Sequence, residues 1–456
     1  MRLWQRLYYG GMVLTLLLAI LGELIWLPDP LRIGTGLYWI DLIDGLIYVL
    51  ALVPCLWLIG ALLHLTAVEG RWSPVRCLAI GLTSLVSVVT LITIPKKIEY
   101  SATIFVITLV LVFVDLVCHE RMRRRLPIRN LLVGGVSLCL LFVLFFPTKY
   151  LVTYPGLTLN MNRYAQAESG QSHGDITGVL VFERPAFPID WLYAKIFPKY
   201  SFEVEDLGMS LGEYNLEVRT MKADANAAGS AIAYQKVGKG QGITSHGVRV
   251  TAIVKDSPVT GILLLGDVIV QVNGHAVAMI SELTDVMKQT KPGDQASVQV
   301  LRNGQKTQLS LETRANPDDS SRAAFGIQVA NEIQYDIPEI VTYHNYLLHE
   351  GGPSHGAMLA LTLIDQLTPC GVTYGHHVAG TGTIEPDGSV GAVGGLEQKA
   401  YTISRTDADV FFVPASNEEE ARKGAPSLLI VPVKTLDDIV NWLKNHPAQP
   451  HRTACS

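Results

Sequence analysis

The sequence predicts a multi-domain protein: an α-helical transmembrane bundle, then a small β-rich module, then an α/β domain. Three observations lead to this prediction. The chain has 456 residues, more than one ordinary domain needs, and its apolar excess lies before residue 148. Short alternating apolar runs with turn residues between them follow from about residue 242. After residue 353, helix and strand patterns alternate.

The composition excludes several classes of function. The formal net charge is −5, and there is no basic stripe with interleaved aromatic residues, so nucleic acid is not an expected partner. Four of the six cysteines lie in apolar runs, and no C-x-x-C pair exists. We therefore expect no disulfide framework, no cofactor and no metal.

Residues 1–148 predict a membrane anchor of about five spans, because five apolar runs approach the ~20 residues that cross a bilayer. The runs are Leu7–Leu27, Leu42–Ala67, Leu78–Ile94, Ala102–Val117 and Leu131–Phe146. Four ionisable residues, Glu23, Asp44, His64 and Asp115, fall toward the ends of these runs. We expect them to reach the interface rather than act inside the membrane.

The loop charges predict the orientation of this multi-pass anchor in the cell membrane. Nine Arg or Lys residues lie on the side of the N-terminus and four on the other, which favours a cytoplasmic N-terminus. An odd number of spans then makes the rest of the chain extracytoplasmic. The nine are Arg2, Arg6, Arg71, Arg76, Arg121, Arg123, Arg124, Arg125 and Arg129; the four are Arg32, Lys96, Lys97 and Lys149.

Residues 149–241 are expected to be a linking region, and residues 242–315 a β-rich module. Asn273-Gly274 and Asn303-Gly304 are strong hairpin signals, and Ser281–Gln289 reads as a helix. The stretches GVRVTAIVKDSPVTGILLLGDVIVQVNGHAV and ASVQVLRNGQKTQLSLET resemble a PDZ domain. The resemblance implies binding of peptides by strand addition, with the carboxylate-binding loop near Ser245–Val248. The alternative is a spacer without a ligand.

Residues 316–445 predict an α/β domain in which two segments carry chemistry. In the first, Ser354 follows Gly352 and Pro353 at the start of a buried helix, where backbone N–H groups could stabilise an oxyanion. In the second, a strand over Val378–Ile384 leads through Gly394-Gly395 to a helix that carries Lys399. Alone, either residue is ordinary. The tail, residues 446–456, is predicted to be disordered.

Together, Gly352-Pro353-Ser354 and Gly394-Gly395-Leu396-Glu397-Gln398-Lys399 resemble the two signature sites of the Lon-type protease domain. The resemblance implies that Ser354 is the nucleophile of a serine endopeptidase and Lys399 its general base. It also implies that Thr381 orients the lysine and that Gly352 and Pro353 support the oxyanion region. An anchor, a PDZ module and a Lon-type domain in one chain resemble a family of bacterial extracytoplasmic peptidases.

The expected activity is independent of ATP, because no G-x-x-x-x-G-K-[ST] motif for a nucleotide exists. Its partners would be protein or peptide substrates and membrane lipid. The chemistry requires the pKa of Lys399 to fall from ~10.4 toward ~7–8. The alternative is a membrane PDZ adaptor whose protease-like domain is inactive. A metal site among His344, His349, His355, His376 and His377 is disfavoured, since their spacing matches no zinc template.

Overall fold

The computed structural model describes residues 2–33, 37–67, 71–95, 97–122, 126–204, 211–316, 319–347 and 351–448. The chain divides into two compact units. The first comprises residues 1–226 together with 341–456, and the second comprises residues 227–340. Lys96, Arg123–Arg125, His349 and the tail from residue 449, all used in the predictions above, lie outside the described residues.

The N-terminal region holds five helices that are long and apolar enough to cross a membrane, as predicted. The second candidate span, Trp39–Leu65, is built from α2, a 3-10 turn and α3. A two-stranded ribbon lies between the first and second spans. The bounds are α1 Leu3–Glu23, β1 Arg32–Ile33, β2 Leu37–Tyr38, α2 Trp39–Leu46, α3 Leu52–Leu65, α4 Ser73–Thr93, α5 Ile98–Met122 and α6 Ile128–Phe145.

Three strands that pair with one another, β3, β5 and β6, follow the last span. Strand β3 is antiparallel to both β5 and β6, and α9 is the helix in which the boundary between the two units falls. The bounds are β3 Tyr150–Asn160, α7 Met161–Tyr164, β4 Ala165–Ala167, β5 Asp175–Pro185, α8 Asp190–Ile196, β6 Ser201–Val204 and α9 Leu211–Lys236.

The second unit is a β-rich module around its own apolar core. Its main sheet has the order β11-β10-β8-β7-β14, and α10 packs beside it. The core side chains include Val248, Val250, Ile269, Val298 and Leu311, all fully buried or nearly so. The bounds are β7 Gly242–Ile253, β8 Val268–Val272, β9 His275–Ala276, α10 Ile280–Met287, β10 Gln295–Arg302, β11 Gln305–Glu312, β12 Arg314–Ala315, β13 Ala323–Ala324 and β14 Ile327–Asp336.

The C-terminal part returns to the first unit and completes its sheet. The sheet has the order β20-β19-β16-β5-β3-β6, in which β16 runs parallel to both β5 and β19. The bounds are β15 Val341–Tyr343, α11 Gly356–Leu367, β16 His377–Gly380, β17 Thr383–Ile384, β18 Val390–Gly391, α12 Leu396–Ile403, β19 Val410–Pro414, α13 Glu418–Gly424, β20 Ile430–Val433 and α14 Leu436–Asn445. The predicted cap of α14, Thr435 with Asp438, is present.

The structure differs from the predicted linking region at residues 149–241. Strands β3, β5 and β6 from this segment form half of the six-stranded sheet that β16, β19 and β20 complete. The β5–β16 pairs, such as Thr177 with Ala379, join residues about two hundred positions apart. A pattern confined to neighbouring residues carries no signal for such pairing.

Candidate active site

Ser354 lies in a single 3-10 turn, Pro353–His355, immediately before α11. Proline suits the first position because a missing N–H group costs nothing there. The helix that follows is buried over its first eleven residues, so the turn is fixed to the core. Gly352 is extended, and the carbonyl of Pro353 accepts a hydrogen bond from the Gly356 N–H group. Gly352 and Pro353 thus lie beside Ser354, where they support the turn through backbone geometry.

Residues Thr381 and Gly382 hold the Pro353–His355 turn from the other side. The Gly382 N–H group and the Thr381 hydroxyl both donate to the carbonyl oxygen of Ser354, at 2.8 and 3.0 Å. The Ala357 N–H group donates back to the Gly382 carbonyl at 3.1 Å. The predicted strand over 378–384 is therefore broken at Gly382, whose φ of 156° and close contact with Val390 suit glycine alone.

Lys399 lies one turn into α12 and is 2% exposed. Its Nζ donates to the Thr381 hydroxyl at 3.4 Å, so Thr381 lies between the lysine and the turn that contains Ser354. Burial lowers the Lys399 pKa to about 8, while the nearby carboxylates of Glu420 and Glu183 oppose the shift. In the part of the chain that the structure describes, Thr381 is the link between Lys399 and Ser354, and no direct hydrogen bond joins the two side chains.

Glu420 is a residue of the candidate site that the sequence analysis did not identify. One carboxylate oxygen accepts from the backbone N–H groups of Leu396 and Glu397, at 2.8 and 3.2 Å. This carboxylate from α13 satisfies the first turn of α12, which begins after Gly395 in a left-handed conformation. The position of Lys399 therefore depends on a residue 21 positions further along the chain.

His355, next to Ser354, is a second residue of the candidate site that the sequence analysis did not assign to it. The side chain is 5% exposed, and burial lowers its pKa to about 4. Its Nδ1 lies 3.2 Å from the Gly352 carbonyl oxygen and its Nε2 lies 2.7 Å from the Asn226 side-chain oxygen. A neutral imidazole thus connects the Pro353–His355 turn to Asn226 of α9.

Residues Ser245–Val248, where the resemblance places the carboxylate-binding loop, lie within strand β7. Strand β7, which contains Ser245–Val248, is paired with β14 on one side and with β8 on the other. The Ser245 hydroxyl donates to the Ala278 carbonyl at 2.6 Å. Strand β7 is therefore an internal strand, and among the described residues the two edge strands of this sheet are β11 and β14.

The ionisable residues near the span ends are paired instead of reaching the interface. His64 and Asp115 are fully buried, and His64 Nδ1 lies 2.9 Å from the Asp115 carboxylate. Among the described residues, His64, Cys77 and Asp115 bring potential metal ligands within 4.8 Å of one another. The Arg76 guanidinium donates to Asp115 at 2.6 Å and already balances its charge, so the group fits a buried ion pair.

Glu23 and Asp44 also find partners, in this case outside the spans. Glu23 pairs with Arg184 of β5, and Asp44 accepts a hydrogen bond from the Leu347 N–H group at 3.0 Å. Both carboxylates are therefore satisfied by polar partners on distant segments, where the sequence analysis expected them to reach the membrane interface.

Two family models match the chain. Residues 207–313 match the PDZ domain, and residues 327–444 match the Lon protease (S16) C-terminal proteolytic domain. A Lon protease of Clostridium acetobutylicum is 30% identical over 133 residues, covering 27% of this chain and 17% of that protein. A probable periplasmic serine endoprotease DegP-like of Pseudomonas putida is 30% identical over 87 residues, covering 19% of this chain and 18% of that protein.

The matched segments are thus less than a fifth of these curated relatives. Among solved structures, the PDZ domain of an SdrC-like protein from Listeria monocytogenes aligns at 22% identity with a TM-score of 0.17, covering 19% of this chain and 88% of that one. The chain therefore contains a PDZ domain and a Lon-type C-terminal proteolytic domain behind five helices long and apolar enough to cross a membrane.

Proposed function

We propose that this protein is a membrane-bound, ATP-independent serine endopeptidase that uses Ser354 and Lys399. The observation that carries the proposal is that Lys399 is buried, with its pKa lowered to about 8, and donates a hydrogen bond to Thr381. Thr381 is the residue whose hydroxyl holds the Ser354 turn. A free lysine, with a pKa of ~10.4, is almost wholly protonated at neutral pH. A buried lysine near 8 is a usable base, because a fraction of about one in ten is neutral at pH 7.

In the proposed reaction the neutral Lys399 amine removes the proton of the Ser354 hydroxyl as its oxygen attacks the peptide carbonyl carbon. The lysine, now an ammonium, gives that proton to the leaving amine as the C–N bond breaks. A water molecule then attacks the acyl-enzyme ester, with Lys399 again as the base, and the acid is released with Ser354 restored. Thr381 accepts a hydrogen bond from Lys399 and positions it.

The first prediction is cleavage without nucleotide. The full chain in lipid nanodiscs should cleave casein or an unstructured fluorogenic peptide at the same rate with ATP, with ATP hydrolysed by apyrase, or with neither. Mass spectrometry of the products should show internal peptide bonds cut. A protein that binds the peptide but leaves it intact would instead fit the alternative, a membrane PDZ adaptor with an inactive protease-like domain.

The second prediction concerns the side of the membrane. An odd number of spans and the distribution of loop charges support an extracytoplasmic catalytic domain. A phosphatase that is active only outside the cytoplasm, fused after Ser456, should be active, and a fluorescent protein that folds only inside should be dark. The opposite pair of signals would mean that one of the five helices does not cross.

The third prediction concerns recruitment by the PDZ domain. The free edge of β14 lies beside α10, whose Ile280 N–H group donates to the Asn331 side chain at 2.8 Å. Among the described residues, the buried Nε of Arg314 in β12 has no hydrogen-bond partner, and it lies beside Gly326, just before β14, where an added Cβ would be 2.9 Å away. A peptide carboxylate is the chemistry that such a guanidinium would pair with. These contacts support β14 as the substrate-binding edge.

Excision of residues 227–340 tests this role. Asn226 and Tyr343 flank the excision and are already joined by a 3.2 Å hydrogen bond, so a short Gly/Ser linker closes the gap. Small peptides should still be cleaved, while KM for a cellular substrate, found by comparing wild-type and Ser354→Ala cells, should rise at least ten-fold, or ~1.4 kcal/mol. Equal changes for both substrates would mean that the module is a spacer.

A further inference from the structure

The loop between the first two spans is hydrogen-bonded to the part of the first unit that follows the spans and carries the candidate active site, residues 149–226 and 341–448, called the catalytic unit below. The Asp29 carboxylate is fully buried and accepts hydrogen bonds from the Thr158 N–H group and hydroxyl in β3, at 3.1 and 2.9 Å. Arg405, just after α12, donates to the Leu27 carbonyl at 2.7 Å. Trp26 is 1% exposed. The loop that joins two spans is therefore part of the core of the catalytic unit, not a free surface segment.

A second attachment joins the start of the second span to the chain just before the nucleophile. The Tyr346 hydroxyl donates to the Asp41 carboxylate at 2.9 Å, and the Leu347 N–H group donates to Asp44 at 3.0 Å. Leu347 precedes Ser354 by seven residues. Seven residues span at most ~25 Å, so Ser354 lies within about that distance of the Leu347 backbone, which is hydrogen-bonded to Asp44.

Asp44 itself lies close to the bilayer surface. The second candidate span has 27 residues, which rise ~40 Å, whereas the hydrocarbon core is ~30 Å thick. The first turns of this span, including Asp41 and Asp44, therefore extend out of the hydrocarbon toward the catalytic unit.

Helix α8 gives the same placement independently. The Ile189 N–H group, at its start, donates to the Val143 carbonyl in the last span at 3.1 Å. Its outward side chains Trp191, Leu192 and Ile196 are 39%, 51% and 61% exposed, an apolar face beside the end of a span. Tryptophan and aliphatic side chains in this position are typical of the membrane interface. The catalytic unit is therefore seated on the bilayer with a fixed height.

We propose that the substrates are membrane-anchored proteins, cleaved within about 15 residues of their own span. This inference rests on the proposed peptidase function and names its substrate class. About eight extended residues cover the ~25 Å to Ser354, and a similar number lie across the site. A bond held much further from the bilayer is out of reach, because the two attachments and α8 prevent the catalytic unit from rising.

The test uses two single-span substrates of identical composition, reconstituted with the full chain in liposomes. Each carries the cleavable peptide of the activity assay and a 40-residue helical spacer of EAAAK repeats, ~60 Å long. In the near substrate the peptide precedes the spacer, a few residues from the span. In the far substrate the spacer comes first. Confinement to one bilayer is equal for both, so the ratio of their rates reports reach alone.

The near substrate should be cleaved at least ten-fold faster than the far one, and Ser354→Ala should cleave neither. Equal rates, or faster cleavage of the far substrate, would overturn the inference while leaving the peptidase assignment intact. The free peptide, tested in the same liposomes, separates the two questions. If the wild type leaves the free peptide and both anchored substrates uncut, the proposed function fails, and the inference fails with it.

Discussion

Replacing Lys399 with arginine should lower kcat/KM by at least ~10³-fold although it keeps the positive charge. Arginine stays protonated at any accessible pH, so it cannot remove the Ser354 proton. Ser354→Ala should cause a loss of the same order because it removes the attacking oxygen. The double variant should be no worse than either single variant, since the two residues act as one unit.

Two exposed positions provide matched controls for these variants. Lys423, whose side chain is 62% exposed on α13, can be changed to arginine, and the exposed Ser404 to alanine. Both controls should retain activity within about two-fold, and both controls and Ser354→Ala should keep the thermal unfolding midpoint of the wild type within a few degrees. Lys399→Arg buries a charge that cannot be neutralised and should lower this midpoint, so its activity is measured at a temperature where the variant is folded. A Lys399→Arg protein with near-normal turnover would exclude the lysine as the base.

Activity should rise steeply with pH and reach half its maximum near pH 8. The active form of Lys399 is the neutral amine, and the pKa is lowered to about 8, so the amine is formed as the pH rises through that value. At pH 6 about one lysine in a hundred is neutral, so kcat/KM should be ~100-fold below its plateau. The measurement is kcat/KM for the fluorogenic peptide between pH 6 and 10.

The neighbouring histidine does not produce this rise. The His355 pKa is lowered to about 4, so its imidazole is neutral throughout the range measured. His355→Gln should therefore leave the midpoint near pH 8 even if the rate falls. A midpoint above pH 10 would mean that Lys399 has the pKa of an exposed lysine and is not the buried base.

The parts of the site that sequence reasoning located are those specified by short motifs. Ser354 and Lys399 each follow a local pattern, a proline-started turn and a Gly-Gly helix start, and the structure places both beside Thr381. The five apolar helices could likewise be predicted from the sequence, because each depends on about twenty consecutive residues.

The parts that were missed depend on pairs far apart in the chain. Glu420 is an ordinary member of a Glu-rich helix start until its contact with the first turn of α12 is known. Asp29 and Thr158, which join the anchor to the sheet, have no shared pattern. Ser245–Val248 lie in strand β7 rather than in a loop, and their partner strand β14 begins about eighty residues later, so no local pattern indicates the pairing.

The six-stranded sheet is built from two stretches of the chain, one before and one after the module of residues 227–340, and this has a consequence for biosynthesis. Ribosomes synthesise β3, β5 and β6 first, then the whole module of residues 227–340, and only then β16, β19 and β20. Until β16 emerges, the edge of β5 that it will cover is unpaired, and Lys399, which follows β16 in the chain, has not been made; when the module of residues 227–340 is complete, Ser354 has not been made either. The nascent chain can thus complete its anchor and its PDZ domain while it still has no means of cutting anything, including itself.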